Sequence, residues 1–190
     1  MKLFKSYILL ALISTILGCQ NTNIKNNSSE PSAPPGFNWY KSSQGIGSFL
    51  KPNGWHIKEE KKGNTNALFI SKENIETVGS FKTGLSVNQI NSWSSSQTTT
   101  PSNYAKSYAA KIATTGQILK QGTVKGNFPD MHVVRVKGNN KGVSTIVHHI
   151  SIGMDTKNQV YIMSFEAPEA VWEKEMQRGG PMLNYFILDN

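Results

Sequence analysis

Four residues of this chain have side chains that could combine to do chemistry: His56, His132, His148 and His149. An imidazole titrates near neutral pH and ligates metals through either ring nitrogen, so two that meet can share a proton, a water or a metal ion. His148 and His149 are adjacent, and adjacent side chains on a regular strand point to opposite faces. His132 offers a better partner. If the segments 128–137 and 143–152 form a hairpin centred on Asn140, Val134 faces Ile146, Val133 faces Val147 and His132 faces His148. Directly opposed residues have Cβ atoms about 4.5 to 5.5 Å apart. The pair is then either a ligand or metal seat or a buried structural pair, and the pattern allows both. His56, beside Trp55, has no assignable partner.

The other routes to catalysis are poorly supplied. There is no Gly-x-Ser-x-Gly elbow, and Gly45-Ile46-Gly47 lacks the third glycine and the helix of a phosphate loop. Glu59-Glu60 sits among Lys58, Lys61 and Lys62 as a solvated charged turn, while Asp130 and Glu166 lie near basic residues without catalytic spacing. One Cys and four His exclude a disulfide framework and a thiolate zinc site. A hydrolase would need a nucleophile, a base and an oxyanion donor converging in one cleft. The chain is therefore expected not to be an enzyme, and no cofactor or resident metal is expected.

Cys19 is the one cysteine. Met1-Lys2-Leu3-Phe4-Lys5 is a short basic start, and Ile8 to Leu17 is a ten-residue run that is apolar except for Ser14 and Thr15. That is half the length needed to cross a bilayer, so residues 1–18 read as a signal peptide. Ile16-Leu17-Gly18-Cys19 resembles a bacterial lipobox, with Leu17 where a small residue is usual. The resemblance implies that the Cys19 thiol takes a diacylglyceryl group and becomes the mature N-terminus, and that acylation of the new amine completes a three-chain anchor. Two or more chains hold stably. Gln20 stands where an inner-membrane retention signal usually shows Asp, which implies the outer membrane, facing the periplasm, in a Gram-negative cell.

Residues 19–36 after the leader are mostly Asn, Ser and Pro and cannot bury enough apolar surface to offset chain entropy. They read as a lipidated, disordered tether of roughly 20 to 25 Å r.m.s.. The 190 residues carry 20 Lys+Arg against 12 Asp+Glu; loss of Lys2 and Lys5 with the leader leaves 18 against 12, or +6. Lys51, Lys58, Lys61, Lys62, Lys106, Lys111, Lys120, Lys125, Lys137 and Lys141 are dispersed, which suits a solvated surface or contact with anionic lipids or glycans. No basic helix or aromatic-basic interleaving suggests nucleic acid, and export removes that partner.

Residues 37–190 must position whatever the domain uses. A hairpin is expected from Trp39-Tyr40 to Gly47-Leu50, turning near residues 43–45. A Pro52-Asn53-Gly54 turn leads to a strand from Trp55 to Glu59, with further strands at Ala67 to Ser71 and Leu85 to Ile90. The polar loop from Asn91 to Asn103 holds Trp93, expected to be exposed and a candidate recognition residue. Thr100-Pro101 supplies an N-cap and a first-turn proline for a helix with Tyr104, Tyr108 and Ile112 on one stripe. Strands are expected at Gln117 to Lys125, Phe128 to Lys137, Val143 to Ile152 and Val160 to Glu166. Pro168 opens a second helix that Gly179-Gly180-Pro181 should end, with Leu183, Phe186 and Ile187 packing a last turn back onto the sheet. The even residues Val134, Val136, Ile146, Ile150 and Ile152 should form one core face. Both faces of the last strand are apolar, so helices or loops should cover both sides of an antiparallel α+β sheet.

Phe49-Leu50-Lys51-Pro52-Asn53-Gly54-Trp55, together with Val160 to Phe165, Pro168, Trp172, Leu183, Phe186 and Leu188, is similar to the Mog/PsbP-like superfamily and its DcrB-like bacterial lipoproteins. The similarity covers residues 37 to 189 and implies an α/β/α sandwich around an antiparallel sheet. Its motifs are structural: Pro52 fixes φ and Gly54 permits a positive one, delivering Trp55 into the sheet. They transfer no functional residues. The expectation is an envelope-anchored lipoprotein acting as a non-enzymatic binding or assembly module, its partners the membrane, through Cys19, and another envelope protein. The alternative is a small-ligand or metal carrier using the His132/His148 face.

Overall fold

The computed structural model describes residues 30–93, 98–126 and 128–189. The signal peptide, Cys19 and most of the tether lie outside the described residues, as do residues 94–97 of the Trp93 loop. Ten strands and three helices follow in the order β1 (Phe37–Lys41), β2 (Gly47–Pro52), β3 (His56–Lys62), β4 (Thr65–Ser71), α1 (Ile75–Val78), β5 (Gly84–Ile90), α2 (Pro101–Ile112), β6 (Gln117–Val124), β7 (Met131–Asn140), β8 (Val143–Met154), β9 (Gln159–Pro168), α3 (Trp172–Asn184) and β10 (Phe186–Leu188). Seven strands form one antiparallel sheet in the order β3-β4-β5-β9-β8-β7-β6, and β1-β2-β10 form a second, small sheet.

The β7–β8 register differs from the expected one. A two-residue turn, Lys141-Gly142, has positive φ at both positions (51° and 85°), the geometry that matches strand twist in tight hairpins. Asn140 therefore pairs with Val143, Val134 with His149, Arg135 with His148, and His132 with Ser151. Even residues of β7 now share a face with odd residues of β8. Val134 and Val136 pack under Ala109 and Ile112 of α2. Ile146, Ile150 and Ile152 point the other way, into the main core with Phe49, Trp55, Met163, Phe165, Trp172, Met182 and Leu183. The five residues expected on one face are divided between two, and both faces are covered.

Each layer is fixed at a close approach. Thr100 Oγ1 accepts from the Asn103 N–H and caps α2, and the Ser102 N–H and hydroxyl both donate to the Asp155 carboxylate at 2.8 Å. A carboxylate suits the positive helix end. Gly153 lies beneath this turn; a Cβ there would sit 2.2 Å from the carbonyl carbon of Pro101. On the other side α3 runs through Gly179-Gly180-Pro181 instead of ending there, because Gly179 crosses the Phe165 ring, where a Cβ would come within 2.5 Å. β10 then continues the chain onto β2, and α1, between β4 and β5, is an element that the pattern did not announce. The small sheet is tied to the large one by a buried chain in which Gln89 Nε2 donates to the Tyr161 hydroxyl (2.6 Å) and the Gly45 carbonyl (3.1 Å), and Asn66 Nδ2 donates to Gln89 Oε1 (3.1 Å).

Gly153→Ala should lower stability by about 1 to 3 kcal/mol, the usual range for overpacking. Gly122→Ala, which meets nothing within 4 Å, should change it by less than about 0.5 kcal/mol. Urea denaturation of both variants checks the pair; equal effects would contradict the close approach of α2 to β8.

Candidate functional site

The structure brings none of the sequence-derived site residues together. His132 lies on the α2 side of the sheet, its Nδ1 hydrogen-bonded to Thr123 Oγ1 at 3.1 Å. His148 lies on the opposite face, buried, and accepts a hydrogen bond of 3.1 Å from Arg135 Nε at its Nδ1. The Arg135 guanidinium in turn stands 5.2 Å from the centre of the Trp172 ring. There is no shared His132/His148 face, because the tight turn moves the register by an odd number of residues. His149 shares the α2 face with His132 and is hydrogen-bonded to Ser164 Oγ at 2.7 Å, with Tyr108 edge-on at 6.3 Å. Burial lowers His148 to about 4, helped by the positive charges of Arg135 and Lys120 and by His149; burial alone lowers His149 to about 4. Both rings are neutral packing groups. Among the described residues no three His, Cys, Asp or Glu side chains are grouped to hold a metal ion.

Trp93 is also not the exposed loop residue expected. It is 8% exposed, packs against Val160, Ile162 and Tyr104, and donates its indole N–H to the Thr99 carbonyl at 2.8 Å. It pins the loop to the sheet.

What the fold leaves open is a cleft on the α2 face of the sheet, beyond the reach of α2. Its volume is about 590 Å³. Phe69 of β4, with Ile75 and Phe81 from the α1 segment, makes one wall; Val143 of β8 and Pro168 of β9 make the other; and Glu166 and Thr145 lie between. Phe69 and Phe81 meet at 6.3 Å, and Phe81 lies over Gly84, whose missing side chain leaves room for the ring. Lys58, Lys82 and Lys141 stand around the cleft, Lys58 already paired with Glu60 at 2.6 Å. A second hollow of about 240 Å³ adjoins it, sharing Asn140, Thr145 and Glu166 and reaching Val136 and His149. Glu166 is held above the usual carboxylate range, first by burial and then by the negative charge of Glu73. The cleft was missed in the sequence because its walls come from four separated segments. One signal was present: Glu166 is the lone charge in the apolar run from Val160 to Ala167.

The sheet's two edges differ. β3 carries five charged residues, Lys58, Glu59, Glu60, Lys61 and Lys62. At the other edge all eight residues of β6 are exposed, and Ile118, Leu119 and Val124 are large apolar side chains among them.

These layers define an α+β sandwich: a seven-stranded antiparallel sheet with α2 and α1 on one face, and α3 with the small sheet on the other. No protein-family model and no curated protein matches the chain. Solved structures do share the arrangement. A Bacteroides thetaiotaomicron protein superposes with a TM-score of 0.51 at 14% identity, over 82% of this chain and 49% of its own, so the chain spans about half of that protein's length. Cyanobacterial PsbP from Synechocystis gives a TM-score of 0.51 at 12% identity, over 86% of this chain and 98% of its own. The Ran-binding protein Mog1p of Saccharomyces cerevisiae gives 0.48 at 11% identity, over 81% and 96%. The domain has a PsbP-like α+β fold, in keeping with the fold that the sequence resemblance implies.

The neutral histidines set a pH test. The unfolded chain takes up protons on both rings below about 6.5, whereas the folded rings stay neutral down to about 4. Their contribution is therefore complete above about 6.5 and is lost as pH falls towards 4, on the order of 3 kcal/mol per ring. His149→Gln, which keeps a partner for Ser164 and does not ionise, should remove about half of this pH dependence in denaturant midpoints measured from pH 7.5 to 4.5. An unchanged slope would mean that His149 is solvated.

Proposed function

We propose that the chain is a non-enzymatic binding module of the bacterial envelope, anchored through lipid on Cys19, and that its partner adds a strand along β6. The observation that carries this reading is the free edge of the seven-stranded sheet. An edge strand presents unpaired N–H and C=O groups in a row, and proteins usually blunt such edges with charge. The charged β3 edge fits that rule, while the eight exposed residues of β6 include Ile118, Leu119 and Val124 and a single charge, Lys120, at a register irregularity. An added strand takes its affinity from the main chain and its selectivity from alternate side chains.

The surroundings select the partner's chemistry. Lys120 lies on β6, Lys125 follows it, and Lys106 of α2 lines a hollow with Gln121, Gly122 and Thr123. An extended segment of an envelope protein with apolar and acidic residues in alternation fits this edge. The basic leader, the apolar run and Gly18-Cys19 support the anchor, and Gln20 favours the outer membrane. Among the described residues no helix is long and apolar enough to cross a membrane.

A photo-reactive residue at Leu119 or Val124 should give one defined envelope-protein adduct in intact cells, and one at Glu60 on β3 should give none. Ile118→Asp should cut the adduct at least tenfold with stability changed by less than about 0.5 kcal/mol. Equal labelling from both edges, or none from β6, would overturn the docking surface. Separately, mass spectrometry of the purified protein should show Cys19 as the first residue carrying the added lipid mass, and Cys19→Ser should lose that mass and keep the leader. An intact leader or a bare thiol on the unsubstituted protein would remove the lipid anchor.

A further inference from the structure

The cleft between the α1 segment and the β7–β8 turn is a separate matter from the β6 edge. Its walls at Phe69, Ile75, Phe81, Val143 and Pro168 are apolar, and Val143, 44% exposed, carries the apolar surface out to the mouth. Such a surface suits a hydrocarbon chain that enters the cleft and runs out over its lip. A plain apolar pocket would have no use for Glu166, whose carboxylate lies at the junction of the two hollows and makes no hydrogen bond or ion pair with any described residue. With no donor from the protein, this half-buried carboxylate is open to a cationic ligand that enters the cleft and replaces its water. Lys82 and Lys141 carry the opposite charge at the same cleft, and neither has a carboxylate within ion-pair distance among the described residues. The arrangement thus offers three things together: apolar walls, an acceptor on the floor and unpaired cations around it.

We infer that this cleft binds an amine-bearing phospholipid, its ammonium on Glu166, its phosphate against Lys82 and Lys141, and the start of an acyl chain along Phe69, Phe81 and Ile75. A phosphoglycerol lipid would satisfy the lysines but offer Glu166 only a neutral hydroxyl, and a fatty amine would leave the lysines without an anion. The zwitterion satisfies both, and the charge-assisted contacts it makes are the strong kind.

The mature chain, residues 19–190 with Cys19→Ser, should be titrated calorimetrically with a short-chain phosphoethanolamine lipid below its micelle concentration. The phosphoglycerol lipid of the same chain length and the dipeptide Leu-Leu serve as comparators. Saturable binding of the phosphoethanolamine lipid is expected, at least tenfold tighter than the phosphoglycerol lipid. Glu166→Gln, which preserves shape, should erase that preference while leaving residual binding of both. Phe81→Ala should weaken both equally. Equal affinity for the two lipids, a preference that survives Glu166→Gln, or no binding would overturn the assignment. Binding of Leu-Leu without the lipid would transfer the site to peptides and overturn the lipid reading. None of these outcomes bears on labelling at β6, so the two readings fail separately.

Discussion

The register of the β7–β8 hairpin governs most of this structure. Lys141 and Gly142 both take left-handed backbone angles, and the Gly142 N–H is held by Asn139 Oδ1 at 2.7 Å. A two-residue connection leaves no freedom: Asn140 must pair with Val143, and every cross-strand pair follows. Because side chains alternate, an odd offset decides which residues share a face. Val134 and Val136 are sent to α2, while Ile146, Ile150 and Ile152 are sent to α3 and the small sheet. The sheet becomes apolar on both sides, and the domain must be a sandwich of three layers.

That demand exceeds what three helices can meet. α2 has twelve residues and lies over β7, β8 and β9, with its register held by Asp155 and by the bare backbone of Gly153. α1 has four residues, and it and the turn that follows cover the β4–β5 side chiefly through Ile75 and Phe81. Between the two helices the floor of the sheet stays open, with Glu166 of β9 on it and the Lys58–Glu60 pair of β3 at its side. On the other face α3, β10 and β2 close the core completely, helped by Gly179 over the Phe165 ring. Openness on one side and closure on the other follow from helix length and from two glycines that allow backbones to touch.

Much of this was legible in the residues. Period-2 alternation and the Pro52-Asn53-Gly54 turn placed nearly all the strands, and Thr100-Pro101 marked the start of α2 to the residue. The double-sided apolarity of Val160 to Phe165 already required cover on both faces. The misreadings share one cause, which is that they depended on long-range choices with no local signature. The turn could be centred on Asn140 or on Lys141-Gly142, and the second option sends the valine row to α2 and the isoleucine row to the main core. Trp93 looked exposed because its loop is polar, yet its ring is drawn in by Val160 and Ile162, far along the chain, and by Tyr104 on α2. Gly179-Gly180-Pro181 reads locally as a helix stop; Phe165, fourteen residues earlier on another element, is what makes glycine necessary inside the helix.

The histidines show why a constellation read from sequence needs its register before its chemistry. His132, His148 and His149 occupy two strands that do pair, and a shift of three in the partner sum separates them completely. Once separated, each finds an ordinary role: His132 with Thr123, His148 under Arg135 and Trp172, His149 with Ser164 beneath Tyr108. Burial then keeps the last two neutral, so they cannot serve as a cationic seat at physiological pH. Among the described residues, groups at the surface that the domain itself does not pair include the outer edge of β6 and the Glu166 carboxylate. Polar groups already paired within the domain have little left to give a ligand, whereas an unpaired backbone edge and a donorless carboxylate gain a bond when one binds. By that criterion the surfaces available for recognition are the ones the hairpin register leaves unfinished.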